Sequence, residues 1–364
     1  MNNEHAQMNH ILANFKIQQE NWELLSVFEI PDGHINCTYK LETTQGSFVL
    51  QKINTFVFKQ PMQLMENIVR TTEFLRKRLA AGDAPGQMTL TVFPALDGRD
   101  FHVDDDGSFW RCYNYVENSY SLQSATEAQA ERAGRAFGTF QQLLDGFPAV
   151  QLHETIPNFH NTKARYEALE AAIEENAAGR RDEVAAEIAF ARARKEDCVK
   201  LVDLCETGEV PLRVTHNDTK LNNVLFDKTS HDAICVIDLD TIMPGLSLYD
   251  YGDALRFLGN AAAEDERDLS KVQFVMPLFE AYTRGYLSAA KHALNPTEIA
   301  MLPFSIKLMT LECGMRFLTD YLNGDTYFRV HFPDHNLVRC RTQFKLVEEI
   351  EAHMDKMNDF IASL

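Results

Sequence analysis

Nothing in the cysteine pattern provides for a covalent framework. The seven cysteines (Cys37, Cys112, Cys198, Cys205, Cys235, Cys313, Cys340) are odd in number, scattered, and include no C-x-x-C. A disulfide scaffold or a structural zinc site is therefore not expected, and a reducing cytoplasm fits. Also missing is any apolar run near the roughly 20 residues that span a bilayer. The first residues, Met1-Asn2-Asn3-Glu4-His5-Ala6-Gln7, lack the basic-then-apolar order of an export signal. The expectation is a soluble, cytoplasmic protein with no membrane partner. Positive charge is scarce too: 35 Lys and Arg against 53 Asp and Glu leave a net charge of −18. That argues against nucleic acid or an anionic membrane surface as a main partner. Several site signatures are absent. There is no G-x-x-x-x-G-K-[ST], no G-x-G-x-x-G and no H-E-x-x-H, and Gly245-Leu246-Ser247-Leu248-Tyr249 lacks the second glycine of a hydrolase elbow. The pairs His153/His160 and His331/His335 lack metal-ligand spacing and read as surface or core histidines.

What is present is enough chain for two lobes, since 364 residues exceed one simple core. Residues 8–27 read as a helix followed by a strand, and 28–36 as a turn. Residues 37–43 alternate in the strand manner, Gln45-Gly46 turns the chain, and 47–53 form a second strand. Pro61 suits the first turn of a helix, in which Met62, Met65, Ile68, Val69 and Leu75 recur at helical spacing. Residues 88–94 and 108–117 are strand-like, with Asp104-Asp105-Asp106-Gly107 as the turn of a hairpin. Composition then shifts. Residues 124–146, 162–206, 271–290, 296–320 and 338–362 all read as helical. The stretch 170–194 is largely charged residues and alanine, and reads as a solvated helical pair rather than core. The fold class expected is α+β, with a small β-rich lobe over 1–117, a hinge at about 113–118, and a larger, mainly helical lobe over 118–364. A monomer or weak homo-oligomer is expected.

Candidate chemistry concentrates in 214–226, Val-Thr-His-Asn-Asp-Thr-Lys-Leu-Asn-Asn-Val-Leu-Phe, and in the apolar run 233–237 that ends in Asp238-Leu239-Asp240. Together they spell H-x-D-x-K-x-x-N, with I-D fifteen residues beyond the asparagine. Phosphoryl transfer asks for a carboxylate to align the attacking hydroxyl, oxygen ligands for Mg²⁺, and positive charge on the phosphates. Asp218 suits the first need, Asn223 and Asp238 the second, and Lys220 the third as a point charge. Asp240, two residues after Asp238, would point the same way on a strand. Taken singly, each is an ordinary turn or cap residue; their conjunction at one template's spacing is what carries the reading. A negative protein can still hold ATP, because a few local cations and Mg²⁺ suffice. His216 reads as a scaffold residue, and Asp250 and Asp253 as ties between the motif and the next helix.

H-N-D-x-K-x-x-N, then I-D-L-D, then P-G-x-x-x-x-D resembles the aminoglycoside phosphotransferase / choline kinase superfamily, whose fold is protein-kinase-like. The likeness extends over nearly the whole chain. Four blocks, 33–39, 213–223, 237–245 and 312–318, resemble more narrowly the N-acetylhexosamine 1-kinase subgroup. The resemblance implies ATP- and Mg²⁺-dependent phosphorylation of the anomeric hydroxyl of N-acetylglucosamine or N-acetylgalactosamine, with the nucleotide in a cleft between lobes. It implies Asp218 as catalytic aspartate and Asn223 and Asp238 as metal ligands. It also places the turn at Gly33 over the phosphates, and the backbone of Tyr113-Asn114-Tyr115-Val116-Glu117 against adenine, with Tyr115, Val116 and Glu117 as the binding stretch. Two departures stand out. The phosphate loop has one glycine where protein kinases have three. The strand lysine falls at Lys52 with Gln51 before it, so either faces the phosphates, and Glu66 or Glu73 would be the partner.

A neutral polyol acceptor needs polar side chains that make bidentate hydrogen bonds. Arg316, on an otherwise apolar helical run, is the first sugar-binding candidate, followed by His34 and Asn36 and then by Tyr321 and Asp325; Asp32 and Arg339 rank below them. Other acceptors for the same fold are an aminoglycoside, choline or homoserine, and a non-catalytic nucleotide-binding protein is a third reading. Choline would call for an aromatic cage, yet Trp22 and Trp110 both precede the helical region.

Overall fold

A computed structural model of the protein describes residues 3–17, 22–31 and 35–364. Asp32, Gly33 and His34 lie outside the described residues. The chain forms two compact units, each discontinuous in sequence. The first comprises Met1–Ser121, Val150–Ile156 and Leu225–Met243, and the second Leu122–Ala149, Pro157–Val224 and Pro244–Leu364. A single cut at 117 does not describe this division, because later segments return to complete the first unit.

The first unit begins with α1 (Asn3–Leu12), β1 (Leu24–Ile30), β2 (Cys37–Thr43) and β3 (Gly46–Lys52). Then come α2 (Pro61–Ala80), β4 (Val92–Phe93), β5 (His102–Val103), β6 (Phe109–Asn114) and β7 (Ser119–Tyr120). Its main sheet runs β1-β2-β3-β6-β4, with β5 on β6. The expected hairpin is present, with Thr43 opposite Gly46 at its turn and Cys37 opposite Lys52. Phe28–Ile30, expected in a turn, instead extend β1, paired with Lys40, Tyr39 and Thr38. Alternation along the strands separates two faces. Phe48 and Leu50 of β3, Trp110 and Cys112 of β6 and Leu41 of β2 join Met8, Ile11 and Leu12 of α1 in one buried cluster. Burying each such aliphatic side chain contributes about 1.5–3 kcal/mol. Gln51, Arg111 and Thr38 occupy the opposite face.

Pro61 does stand in the first turn of α2, but the buried stripe is Leu64, Met65, Ile68 and Leu75, and Met62 is exposed. Three expected positions, Met65, Ile68 and Leu75, are thus buried, and Leu64 takes the place of Met62. On the same side lies the fully buried Asn67. Its amide nitrogen donates to the carbonyls of His153 and Ile242, and its amide oxygen accepts from the His153 backbone N–H. One side chain so ties α2 to both returning segments. The later of these segments supplies β9 (Val224–Asp227) and β10 (Ala233–Val236), which form a second sheet in the order β10-β9-β7, while Met88 N donates to Ile234 O at 2.8 Å.

The second unit holds α3 (Glu127–Leu143), α4 (Thr162–Glu175), α5 (Ala185–Arg192), α6 (Lys195–Glu206), β8 (Arg213–Thr215), α7 (Ser247–Leu258), α8 (Met276–Ala290), α9 (Pro296–Leu322) and α10 (His335–Ala362). Capping boxes start α3 at Thr126/Gln129 and α9 at Asn295/Glu298, each satisfying otherwise orphaned amides of the first turn. The charged stretch near 170–194 is not merely a solvated pair. Leu169, Ala172, Ile173, Val184, Ile188 and Ala191 are buried with Leu311, Met315 and Phe344 of α9 and α10.

Glycine sets the contact between α3 and α8. A Cβ at Gly285 would fall on the Glu131 carbonyl oxygen, and one at Gly134 on that of Tyr282. Backbone cannot yield as a flexible side chain does, so Gly285→Ala is expected to destabilise by about 1–3 kcal/mol through overpacking. A urea melt of the purified variant measures this, and an unchanged midpoint would show that the seam has slack.

Candidate active site

The loop after β8 is held from several sides, all within the second unit. Arg213 makes a two-pronged pair with Glu298 of α9, at 2.7 and 2.9 Å, which fixes the entry to the loop. A Cβ at Gly245 would collide with the Thr215 hydroxyl, so only glycine lets that segment approach. His216 is buried with its ring edge-on to Phe137 and Phe140, each 6.0 Å away. Asp250 of α7 accepts from the backbone N–H of His216 at 2.8 Å and of Asn217 at 2.7 Å, and the carbonyl of Asp250 accepts from the Thr219 hydroxyl. Burial pushes the Asp250 carboxyl up to about 6, although His216 and the two N–H donors oppose it. Asn217 adopts the left-handed conformation, φ 63°. A non-glycine residue held there needs surrounding contacts to over-determine it, and those bonds do so.

This scaffold presents a half-buried Asp218. Lys220 Nζ lies 2.9 Å from Asp218 Oδ1, and Asn223 Nδ2 donates to the Asp218 carbonyl at 2.8 Å and reaches its Oδ2 at 3.4 Å. Burial works against the Lys220 charge, but Asp218 outweighs it and the ammonium is held above the ordinary lysine value. Asp218, Lys220 and Asn223 are therefore gathered on one turn. Asn223 turns its N–H₂ inward, which leaves the amide oxygen as the donor of a hard-cation ligand.

The other predicted residues divide. Asp238 is exposed and itself left-handed, φ 61°. The expectation that Asp240 points with it fails, because β10 ends at Val236 and Leu239–Thr241 form a tight turn. Asp240 is buried instead. Arg111 Nη2 lies 2.5 Å from its Oδ1, and Asn36 Nδ2 donates to its Oδ2 at 2.5 Å. Asn36 is thus spent on this carboxylate and, through its amide oxygen, on the Asn54 N–H at 2.9 Å. Arg111 is 1 % exposed and donates through Nε to Gln51 Oε1 at 3.0 Å. Burial would lower the Arg111 pKa, but Asp240 and its neighbours raise it on balance. Gln51 shares this face, whereas Lys52 pairs in register with Trp110, its Nζ 6.0 Å from that ring. Lys52 is therefore not on the face of Arg111 and Asp240; the cation there comes from β6. Glu66 of α2 meets His153 Nε2 at 2.7 Å. Tyr115, Val116 and Glu117 follow β6 directly, and the Val116 carbonyl accepts from the Ser119 hydroxyl at 2.6 Å.

Arg316 lies on α9 in the second unit, its guanidinium 5.3 Å from the Phe159 ring and 5.6 Å from that of Phe328. It lines a cavity of about 290 Å³ with Arg165, Thr319, Asp320, Tyr327 and Phe328. Asp320 builds one wall by accepting from the backbone N–H groups of Thr326, Tyr327 and Phe328 at 2.8–2.9 Å. Arg165 and Tyr327 had no signal in the sequence, because nothing in their spacing links them to Arg316. Tyr321 and Asp325 do not line this cavity. Tyr321 is buried in the helical core with its hydroxyl on Glu183, and Asp325 bridges Arg180 and Asn336. Arg339 stacks on Phe317, 5.3 Å from its ring. The candidates Gly33, His34 and Asp32 lie outside the described residues.

Mg²⁺ prefers oxygen ligands and takes only one or two carboxylates beside substrate phosphates. In the second unit the Asn223 side chain offers an amide oxygen, and in the first unit Asp238 is an exposed carboxylate while Asp240 lies against Arg111. Among the described residues no helix is long and apolar enough to cross a membrane.

Comparison with solved structures shows the same fold at low identity. A microcompartment-associated aminopropanol kinase superposes with a TM-score of 0.62 at 18% identity, covering 97% of this chain and 98% of that one. A spectinomycin phosphotransferase solved with ADP and spectinomycin gives 0.55 at 13%, covering 96% and 98%. A Plasmodium vivax ethanolamine kinase gives 0.51 at 13%, covering 92% and 83%. The expected α+β, protein-kinase-like architecture is thus present. The model of the Phosphotransferase enzyme family matches residues 26–295. The chain, with its Asp218 turn and kinase-like fold, therefore belongs to the phosphotransferase enzyme family.

Proposed function

We propose that the protein transfers the γ-phosphoryl group of ATP to the anomeric 1-hydroxyl of an N-acetylhexosamine, N-acetylglucosamine or N-acetylgalactosamine. The observation that carries phosphoryl transfer is the Asp218 carboxylate, held by Lys220 at 2.9 Å on a loop fixed from several sides. In the proposed reaction the sugar oxygen bonds to the γ-phosphorus, the bond to the bridging oxygen of ADP breaks, and the hydroxyl proton passes to Asp218. Lys220 offsets charge on the transferred group. Mg²⁺, held by Asn223 and Asp238, would neutralise phosphate charge when bound. Adenine is assigned to the backbone of 115–117, and Gly33 to the phosphate-covering turn. Arg316 is the lead residue for the sugar.

The choice of acceptor rests on the subgroup blocks at 213–223, 237–245 and 312–318 and on the cavity beside Arg316. Two guanidiniums, Arg165 and Arg316, line it. They suit hydroxyl and amide oxygens and repel a cation, which weighs against the amino alcohols named for the aminopropanol and ethanolamine kinases and against aminoglycosides. Incubation with ATP, Mg²⁺ and a panel of hexoses, N-acetylhexosamines, aminoglycosides, amino alcohols and choline tests this. The expected product carries phosphorus coupled to the anomeric proton in its NMR spectrum. Phosphate on any other oxygen, or turnover of amines alone, would sink the 1-kinase reading.

A further inference from the structure

His160 stands just before α4 and is buried. Its Nδ1 lies 3.0 and 3.3 Å from the two oxygens of Glu312, and its Nε2 3.1 Å from the carbonyl oxygen of Asn217. A carbonyl can only accept. A carboxylate, when ionised, can only accept as well. Burial would push Glu312 up, yet His160, Arg316 and Arg165 hold it on balance below the usual carboxylate range. With Glu312 ionised, both ring nitrogens must donate and so carry protons. Glu312 also lies 3.7 Å from Arg316, so a chain of contacts runs from the cavity arginine through Glu312 and His160 to the residue preceding Asp218. All of it lies within the second unit.

We propose that His160 acts as an imidazolium that positions the backbone ahead of Asp218, and that loss of its proton sets the upper pH limit of phosphoryl transfer. The proposal rests on the reading of Asp218 as the catalytic aspartate. His160 is a positioning residue, since it reaches Asp218 only through Asn217. The left-handed turn at Asn217 has its N–H fixed by Asp250 and its carbonyl fixed by His160. With a neutral ring, one of the two bonds loses its donor, and either Glu312 faces a lone pair or the carbonyl is released.

The charged surroundings set the direction. From α9 the ring faces Glu312 and Arg316. From α7 come Asp253 and the Tyr249 ring, 5.6 Å away, with Asp250 beyond on the same helix. Burial favours the neutral ring, but Glu312 and Asp253 outweigh burial and Arg316, so the ring holds its proton above the ordinary imidazole value. A group raised on folding contributes fully below its unfolded pKa and loses that contribution as pH rises through the folded one. The limb is therefore alkaline. Asp250 titrates on the acid side and cannot produce it.

The test is ¹⁵N-histidine NMR of the whole wild-type protein at about pH 8, where a free imidazole is neutral, with kcat–pH profiles of wild type, His160→Gln and Glu312→Gln. The His160 signals are expected to show two protonated nitrogens. Glutamine keeps one donor for Asn217 but no charge, so kcat should fall about 10- to 100-fold, as for a displaced catalytic group, and the alkaline limb should vanish. Glu312→Gln should move that limb to lower pH. A neutral ring at the pH of maximal kcat, or an identical limb in His160→Gln, overturns the proposal. The NMR arm uses wild-type protein and stands even if the variant does not fold. If wild type phosphorylates nothing in the panel, the reading of Asp218 fails and the positioning role with it, while the ring-nitrogen shifts still decide the charge state.

Discussion

Asp218→Asn is expected to lower turnover by about 10²–10⁴-fold, the range for a positioned general base, while leaving the affinity for ATP nearly unchanged. Asparagine matches the carboxylate in shape and can still accept one hydrogen bond, but it cannot take the acceptor's proton. It also leaves the Lys220 ammonium, now 2.9 Å from Asp218 Oδ1, without its counter-ion. The free lysine would bind a phosphate oxygen no worse than before, so the loss should appear in kcat rather than in nucleotide Kd. Steady-state kinetics with the best acceptor of the panel, together with calorimetric titration of ADP, separate the two. Near-native turnover would remove Asp218 from the chemistry and, with it, the roles given to Lys220 and Asn223.

The second large effect concerns stability. Arg111→Met should cost about 3–5 kcal/mol, the penalty for leaving a buried charge without its partner. Asp240 is 4 % exposed and, among the described residues, would keep the Asn36 amide. Removing one member of a buried pair is costly, whereas replacing both with apolar groups is often near neutral. The double variant Arg111→Met/Asp240→Leu is thus expected to recover much of the loss in a thermal melt. A single variant as stable as wild type, or a double variant no better than the single, would show that the pair is not what fastens the turn after Asp238.

The contrast between these two sites shows what can be read from a linear sequence. Asp218, Lys220 and Asn223 lie within six consecutive residues, and local geometry dictates that they meet. The hairpin at Gln45-Gly46 and the helix after Pro61 are legible for the same reason, since turn chemistry and helical period act over a few residues. The choice of Leu64 over Met62 for the buried stripe of α2 is not legible, because the two are equally apolar and tertiary packing chooses between them. Arg111 and Asp240 are 129 positions apart, and nothing local pairs them. Reading Asp240 as parallel to Asp238 assumed that the strand continues, whereas it stops at Val236. His160 resembles any other core histidine until Glu312 and Asn217 are found on its two nitrogens. Tyr321 and Asp325, polar groups near Arg316 in sequence, bond to Glu183 and to Arg180 and Asn336, partners that nothing local announces.

The interleaving of the two units bears on how the chain is made. The first unit is complete only when Leu225–Met243 arrives, bringing β9, β10 and the backbone that Met88 and Asn67 bind. A ribosome releasing residues 1–121 has released the whole main sheet but only β7 of the second sheet, and neither of the returning segments. Vectorial folding, in which domains complete one after another from the N-terminus, is denied to this topology. An excised 1–121 fragment would leave the Asn67 amide and the Met88 N–H without the backbone groups that the returning segments supply.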